Sequence, residues 1–334
     1  MLTTQHNTPV LLAAVGCACV ALVAAAPSQD AASLKGAIKV DGSSTVYPIT
    51  QAAAEGFSEE ASRVRITVGV SGTGGGFKRF CAGEIDIADA SRAIKSSEME
   101  AAAKAGIEFV ELPVAFDGLT IVVNPKNSWC SSLTVEQVTK IYSATGGVKT
   151  WKDLDPSWPD KTIKVYSPGT DSGTFDYFKE TVVGKDGAVR SDMSVSEDDN
   201  VLVRGVAGDE GAVGFFGCAY YFENKDKVKA LSIDGGKGPI APSLATIEDG
   251  SYAPFSRPLF VYVNKKSAER PAVAAFIAYY IKNASKFVNE VGYVKLPDAI
   301  YAKVAANWEK RRLGTQFTTA DGKSVTGALS SVYE

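Results

Sequence analysis

Ser167-Pro168-Gly169-Thr170-Asp171-Ser172-Gly173-Thr174-Phe175 is the stretch on which the reading of this chain turns. It follows a short strand-like run, residues 163–166, and opens into Phe175-Asp176-Tyr177-Phe178-Lys179-Glu180, which has the character of a helix start. A helix entered from a Gly/Ser/Thr turn leaves its first backbone N–H groups unpaired, and the helix dipole makes that end partly positive. The hydroxyls of Ser172 and Thr174 add neutral donors beside those amides. Such a tip suits a small tetrahedral oxyanion. Taken alone, the stretch reads first as an ordinary capped helix start.

Working outward, the same pattern recurs. Asp41-Gly42-Ser43-Ser44-Thr45 follows a strand-like run at residues 37–40 and leads into Tyr47-Pro48-Ile49, where Pro48 suits a first helical turn. Ser71-Gly72-Thr73-Gly74-Gly75-Gly76 follows residues 64–70 and precedes a helix expected at residues 77–83. Asp89-Ala90-Ser91-Arg92 follows the buried-strand pattern Ile85-Asp86-Ile87. Four hydroxyl-rich turns, each after a strand, are most economically explained by one shared anion. Gly74 to Gly76 would let the backbone approach that ligand closely.

In order, Asp41-Gly42-Ser43-Ser44-Thr45-Val46, Ser71-Gly72-Thr73-Gly74-Gly75-Gly76-Phe77, Asp86-Ile87-Ala88-Asp89-Ala90-Ser91-Arg92, Asp117-Gly118-Leu119-Thr120 and Asp171-Ser172-Gly173-Thr174-Phe175 resemble the phosphate-binding proteins of phosphate-specific ABC importers. The match runs from about residue 35 to the C-terminus. The resemblance implies a two-lobed type II periplasmic-binding-protein fold of class α/β, each lobe a mostly parallel sheet flanked by helices and joined by two crossing segments. It implies inorganic phosphate and the importer's membrane subunits as partners, a monomer, and no cofactor. By transfer, the phosphate-binding residues are Ser44, Thr45, Thr73, Ser91, Arg92, Asp171, Ser172, Gly173 and Thr174. One family variant has an arginine just before the second-lobe turn, where Pro168 stands here, and a carboxylate that would fall at Ser91. Arg92 is therefore expected to supply the positive charge from the first lobe, with Lys78, Arg79 and Lys95 facing solvent.

A carboxylate matters for selectivity, because monohydrogen phosphate can donate a proton to an acceptor and sulfate cannot. Asp171 and Asp117 are the candidates, with Asp89 and Asp41 behind them. Burying a carboxylate beside phosphate costs free energy unless the shared proton and flanking amides offset it.

The rest of the chain fits that frame. With 334 residues, two lobes are the natural expectation. Residues 37–112 alternate strand-like and helix-like segments, implying βα units. Residues 114–124 and 259–264 are extended apolar runs long enough to cross between lobes. The expected lobes are 37–115 plus 258–334, and 116–257. Helices are expected at 134–142, 197–208, 271–289 and 298–312, a strand at 211–216, and Trp151 and Trp158 on a surface loop.

Residues 1–26 contain no Lys, Arg, Asp or Glu and end in Ala24-Ala25-Ala26, which reads as a cleaved secretory leader. Residues 27–36 form a linker, and the mature protein is expected to be periplasmic or extracellular. A lipid tether through Cys17 is the alternative.

Net charge is −3, so no basic footprint argues for nucleic acid. The single histidine, His6, lies in the leader, which leaves the mature chain no Ser-His-Asp triad and no imidazole metal ligand. Cys81, Cys130 and Cys218 are too far apart for a zinc motif, and either one disulfide or free thiols fits them. The glycine stretch fails both GxGxxG and Walker A patterns at Phe77 and Arg79. An enzyme is not expected. Other tetrahedral oxyanions (sulfate, molybdate, tungstate) and a sensing or adhesion protein on the same fold stay open.

Overall fold

The computed structural model describes residues 1, 31–170, 172–184, 186–196, 198–319, 323, 325 and 328–334. The leader reading and Asp171 lie outside these. In chain order the principal strands are β1 (Gly36–Gly42), β2 (Val64–Gly69), β3 (Ile87–Ala90), β4 (Phe109–Val123), β5 (Lys164–Ser167), β6 (Ala212–Gly217) and β7 (Ser256–Asn264). The principal helices are α1 (Tyr47–Glu60), α2 (Gly72–Cys81), α3 (Ser96–Lys104), α4 (Val135–Tyr142), α5 (Gly173–Val183), α6 (Asp199–Gly208), α7 (Pro271–Glu290) and α8 (Asp298–Glu309).

One curled sheet runs through both lobes in the order β2-β1-β3-β7-β4-β6-β5, with Ser194–Val195 continuing the β5 edge. β1 pairs in parallel with β2 and β3, and β5 with β6, as βα units require. Every antiparallel pairing in this sheet involves one of the two crossing strands, β4 and β7. β4 is buried along its whole length, which is why residues 114–124 read as an extended run rather than an alternation, and the structure starts the strand earlier, at Phe109. Its first part pairs with β7 and its second part, Leu119 to Val123, with β6, so a single strand feeds both lobes. The β4/β7 register slips between Leu259 and Phe260, opposite Ala115 and Pro113. Proline has no N–H to give the ladder, and a bulge is where a central strand tolerates it.

α1 and α7 clasp the first lobe through Phe57 and Phe276, whose rings lie 5.5 Å apart. In the second lobe Phe178 stacks on Phe215 at 3.7 Å, with Tyr142 edge-on to both. Trp151 is fully buried, donates its indole N–H to Gly211 O, and meets Trp129 and Trp158 edge to face. The surface-loop expectation for Trp151 is thus wrong: the second-lobe core needed a large side chain whose one polar atom could reach a carbonyl. Among the described residues no helix is long and apolar enough to cross a membrane. Cys81, Cys130 and Cys218 are buried free thiols.

The glycine turn is also a correction. Gly72 to Gly76 form the first turns of α2 instead of a loop before it. A Cβ on Gly76 would sit 2.6 Å from Gly42 Cα and 2.9 Å from Asp41 O, so this glycine lets α2 lie directly on β1, whereas Gly72 and Gly74 open onto free space. Arg79, expected in solvent, pairs with the buried carboxylate of Asp41, which also accepts the Ser71 N–H at 3.0 Å.

Two buried carboxyls make stability depend on pH. Burial pushes Asp89 up to about 8, against the opposing hydrogen bond from Thr50 (3.1 Å). Burial likewise pushes Glu111 up to about 7, although Tyr262 OH (2.8 Å) and Gln316 N–H (2.9 Å) favour its charged form. Unfolded carboxyls titrate near 4, so between about pH 4 and 8 the native state holds protons that the unfolded chain has released. This contribution is full below the unfolded value and is lost as pH rises through 7 to 8. The denaturation midpoint is expected to fall from pH 5 to pH 8, and Asp89→Asn with Glu111→Gln should flatten that slope. An unchanged slope in the double variant would refute the assignment.

Candidate functional site

A cleft of about 1020 Å³ opens between the lobes where the strand-following turns end. Its first-lobe wall is Ser43-Ser44-Thr45 ahead of α1, Ser71 to Gly75 at the start of α2, and Ser91-Arg92-Ala93 beyond β3. Its second-lobe wall is the α5 face from Asp176 to Thr181, apart from Phe178, and its floor is Ser256-Arg257-Pro258 on β7. The turns converge because β1, β2 and β3 are parallel neighbours, so their C-terminal ends lie at one sheet edge.

The hydroxyls form an ordered set. Thr73 Oγ1 accepts the Ser91 N–H at 3.1 Å and lies 3.1 Å from Ser91 Oγ. Thr45 Oγ1 donates to Gly173 O across the cleft at 3.4 Å and accepts from Arg257 Nη2 at 3.2 Å. Ser44 Oγ donates to the Asp176 carboxylate, also across the cleft, at 3.0 Å. Ser172 is the N-cap of α5. Ser172, Gly173 and Thr174 stand at that helix end, where Gly173 abuts Thr45, but they are not among the cleft-lining residues.

The sequence reading missed Arg257. It sits opposite Asp117 in the β4/β7 register, and its Nε and Nη2 each lie 3.3 Å from Asp117 Oδ2. Its guanidinium also covers the Tyr177 ring at 3.5 Å. The side chain is 16% exposed and Asp117 is fully buried, so Asp117 is an anchor for the arginine and has no surface toward the cleft. Burial raises the Asp117 carboxyl while the adjacent Arg257 charge works against that rise. The available signal was a lone arginine at the edge of the apolar run beginning at Leu259; only pairing to β4 turns it inward. Arg92 lines the cleft as expected, but its charge is matched by a two-pronged pair with Glu98 (2.7 and 2.9 Å), and it lies 5.5 Å over Phe77.

Chemically, the cleft offers clustered hydroxyls, open backbone at Gly74, and a pinned guanidinium, a donor set matched to a small oxyanion.

Residues 26–284 match the model of a PBP superfamily domain. The chain is 47% identical over 304 residues to Protein SphX of Synechococcus elongatus, covering 90% of this chain and 89% of that protein. It is 40% identical to the phosphate-binding protein PstS of Staphylococcus saprophyticus, covering 83% of this chain and 85% of the relative. Among solved structures, a possible phosphate binding protein from Planctomyces limnophilus superposes with a TM-score of 0.82 at 44% identity, covering 84% of this chain and all of that one. The two-lobed architecture, the crossing strands and these relatives agree: the chain belongs to the PBP superfamily, in the family of the PstS phosphate-binding proteins.

Proposed function

We propose that this protein binds inorganic phosphate in the interlobe cleft and delivers it, outside the cytoplasm, to the membrane subunits of an ABC importer. The observation that carries the reading is the meeting of Ser44, Thr45, Thr73 and Ser91 with the Arg257 guanidinium in one cleft. Family membership supports binding and transport, with no catalytic residue assigned. The lobes are taken as 37–115 with 258–334, and 116–257, acting as a monomer that closes over the ion by a hinge in β4 and β7. Ser172, Gly173 and Thr174 would reach the ion from the α5 end as the lobes close, with Asp171 beside them. A micromolar affinity corresponds to about −8 kcal/mol. Roughly ten hydrogen bonds netting about 1 kcal/mol each reach that after the cost of closure.

Isothermal titration of purified, ligand-stripped protein tests this. Phosphate is expected to bind in the micromolar range or tighter, and sulfate far more weakly. No heat with phosphate would overturn the reading, and molybdate or tungstate binding in its place would reassign the ligand.

A further inference from the structure

The carboxylate that distinguishes phosphate from sulfate need not touch the anion. Three of the acidic groups near the cleft are already committed. Asp41 is held by Arg79 and the Ser71 amide, Asp117 is sealed behind Arg257, and Glu98 is occupied by Arg92 and the Lys95 N–H. Asp89 is fully buried, with Thr50 on one oxygen. Glu98 and Glu180 line the cleft as Asp176 does, but of the three it is Asp176 whose hydrogen bond crosses it, to Ser44, a member of the hydroxyl set on the opposite lobe.

The direction of that bond is forced. An ionised carboxylate only accepts, so the single hydroxyl proton of Ser44 points to Asp176. What Ser44 can then present to a bound oxyanion is an oxygen lone pair. A lone pair is favourable against a P–OH and repulsive against an oxygen that carries no hydrogen. Monohydrogen phosphate supplies the hydrogen and sulfate does not.

We propose that Asp176 is the specificity-determining residue of the site, acting through Ser44 by holding its hydroxyl proton away from the ion and so making it an acceptor for the phosphate hydroxyl. This rests on the phosphate-binding reading above. It places the discriminating carboxylate on α5, four residues beyond the Ser172 cap. Asp176 is exposed, so its replacement removes this cross-cleft bond without opening a cavity in the core of either lobe.

The test is the phosphate-to-sulfate affinity ratio, by titration calorimetry, of wild type, Asp176→Ala, Asp176→Glu and Ser44→Ala. In Asp176→Ala the Ser44 proton is released to face the ion, and the ratio is expected to narrow at least tenfold, mainly through improved sulfate binding. Asp176→Glu should restore much of it, which a purely structural role for the position would not require. Ser44→Ala removes both the acceptor and its repulsion, so it should weaken phosphate and improve sulfate. A ratio within twofold of wild type in both alanine variants would overturn the assignment while leaving the binding function intact. A wild type that binds phosphate and sulfate alike would also overturn it, and a wild type that binds neither would remove the functional reading beneath it.

Discussion

Replacing Arg257 by methionine is expected to weaken phosphate binding by at least 100-fold and to destabilise the protein by about 3 to 5 kcal/mol. The two losses have different causes. Binding suffers because the cleft loses a guanidinium that is pre-positioned by Asp117 and by the Tyr177 ring, and a pre-positioned donor loses little entropy on binding. Stability suffers because a fully buried carboxylate is left without its counter-charge. Adding Asp117→Asn to Arg257→Met should therefore recover most of the stability and none of the affinity. Calorimetry on the single and double variants, with urea denaturation alongside, separates the two. If the single variant kept wild-type affinity, the positive charge of the site would have to be assigned to Arg92.

Gly173→Ala should lower phosphate affinity at least tenfold, about 1.4 kcal/mol, with little change in stability. A Cβ at this position would lie 2.8 Å from Thr45 Cα and 3.1 Å from Thr45 N. Those are backbone atoms of the opposite lobe and cannot rotate aside, so the lobes must part. Parting lengthens the Ser44–Asp176 and Thr45–Gly173 bonds, which are 3.0 and 3.4 Å in this structure. The unbound protein tolerates this by opening, which is why the loss is confined to the bound state. Small-angle scattering with saturating phosphate should show incomplete compaction in the variant. Full compaction with wild-type affinity would show that the contact does not limit closure.

Much of the architecture was legible along the chain. Pro48 marks the start of α1 and Ser172 stands at the N-cap position of α5, because helix starts are set by local backbone needs. The crossing strands announced themselves as uninterrupted apolar runs, since burial on both faces removes the polar alternation. Ser44, Thr45, Thr73, Ser91 and Arg92 were readable as cleft residues because each follows a parallel strand, and parallel strands deliver their ends to one edge.

Arg257 was not legible, and the reason is register. It lies 212 residues from Thr45 and 140 from Asp117, and nothing local says which strand β7 will pair with or where its bulge falls. The same holds for Ser44 and Asp176, 132 residues apart. Trp151 and the Gly72–Gly76 segment were misread for a related reason: the first fills a core assembled from distant elements, and the second is helical because α2 must lie on the backbone of β1. The sequence by itself determined the elements, the parallel-sheet edge and the hydroxyl turns, all products of short-range propensity and hydrophobic pattern. Only the tertiary structure decided which charge faces the cleft and which carboxylate reaches across it, because those depend on pairings between segments more than a hundred residues apart.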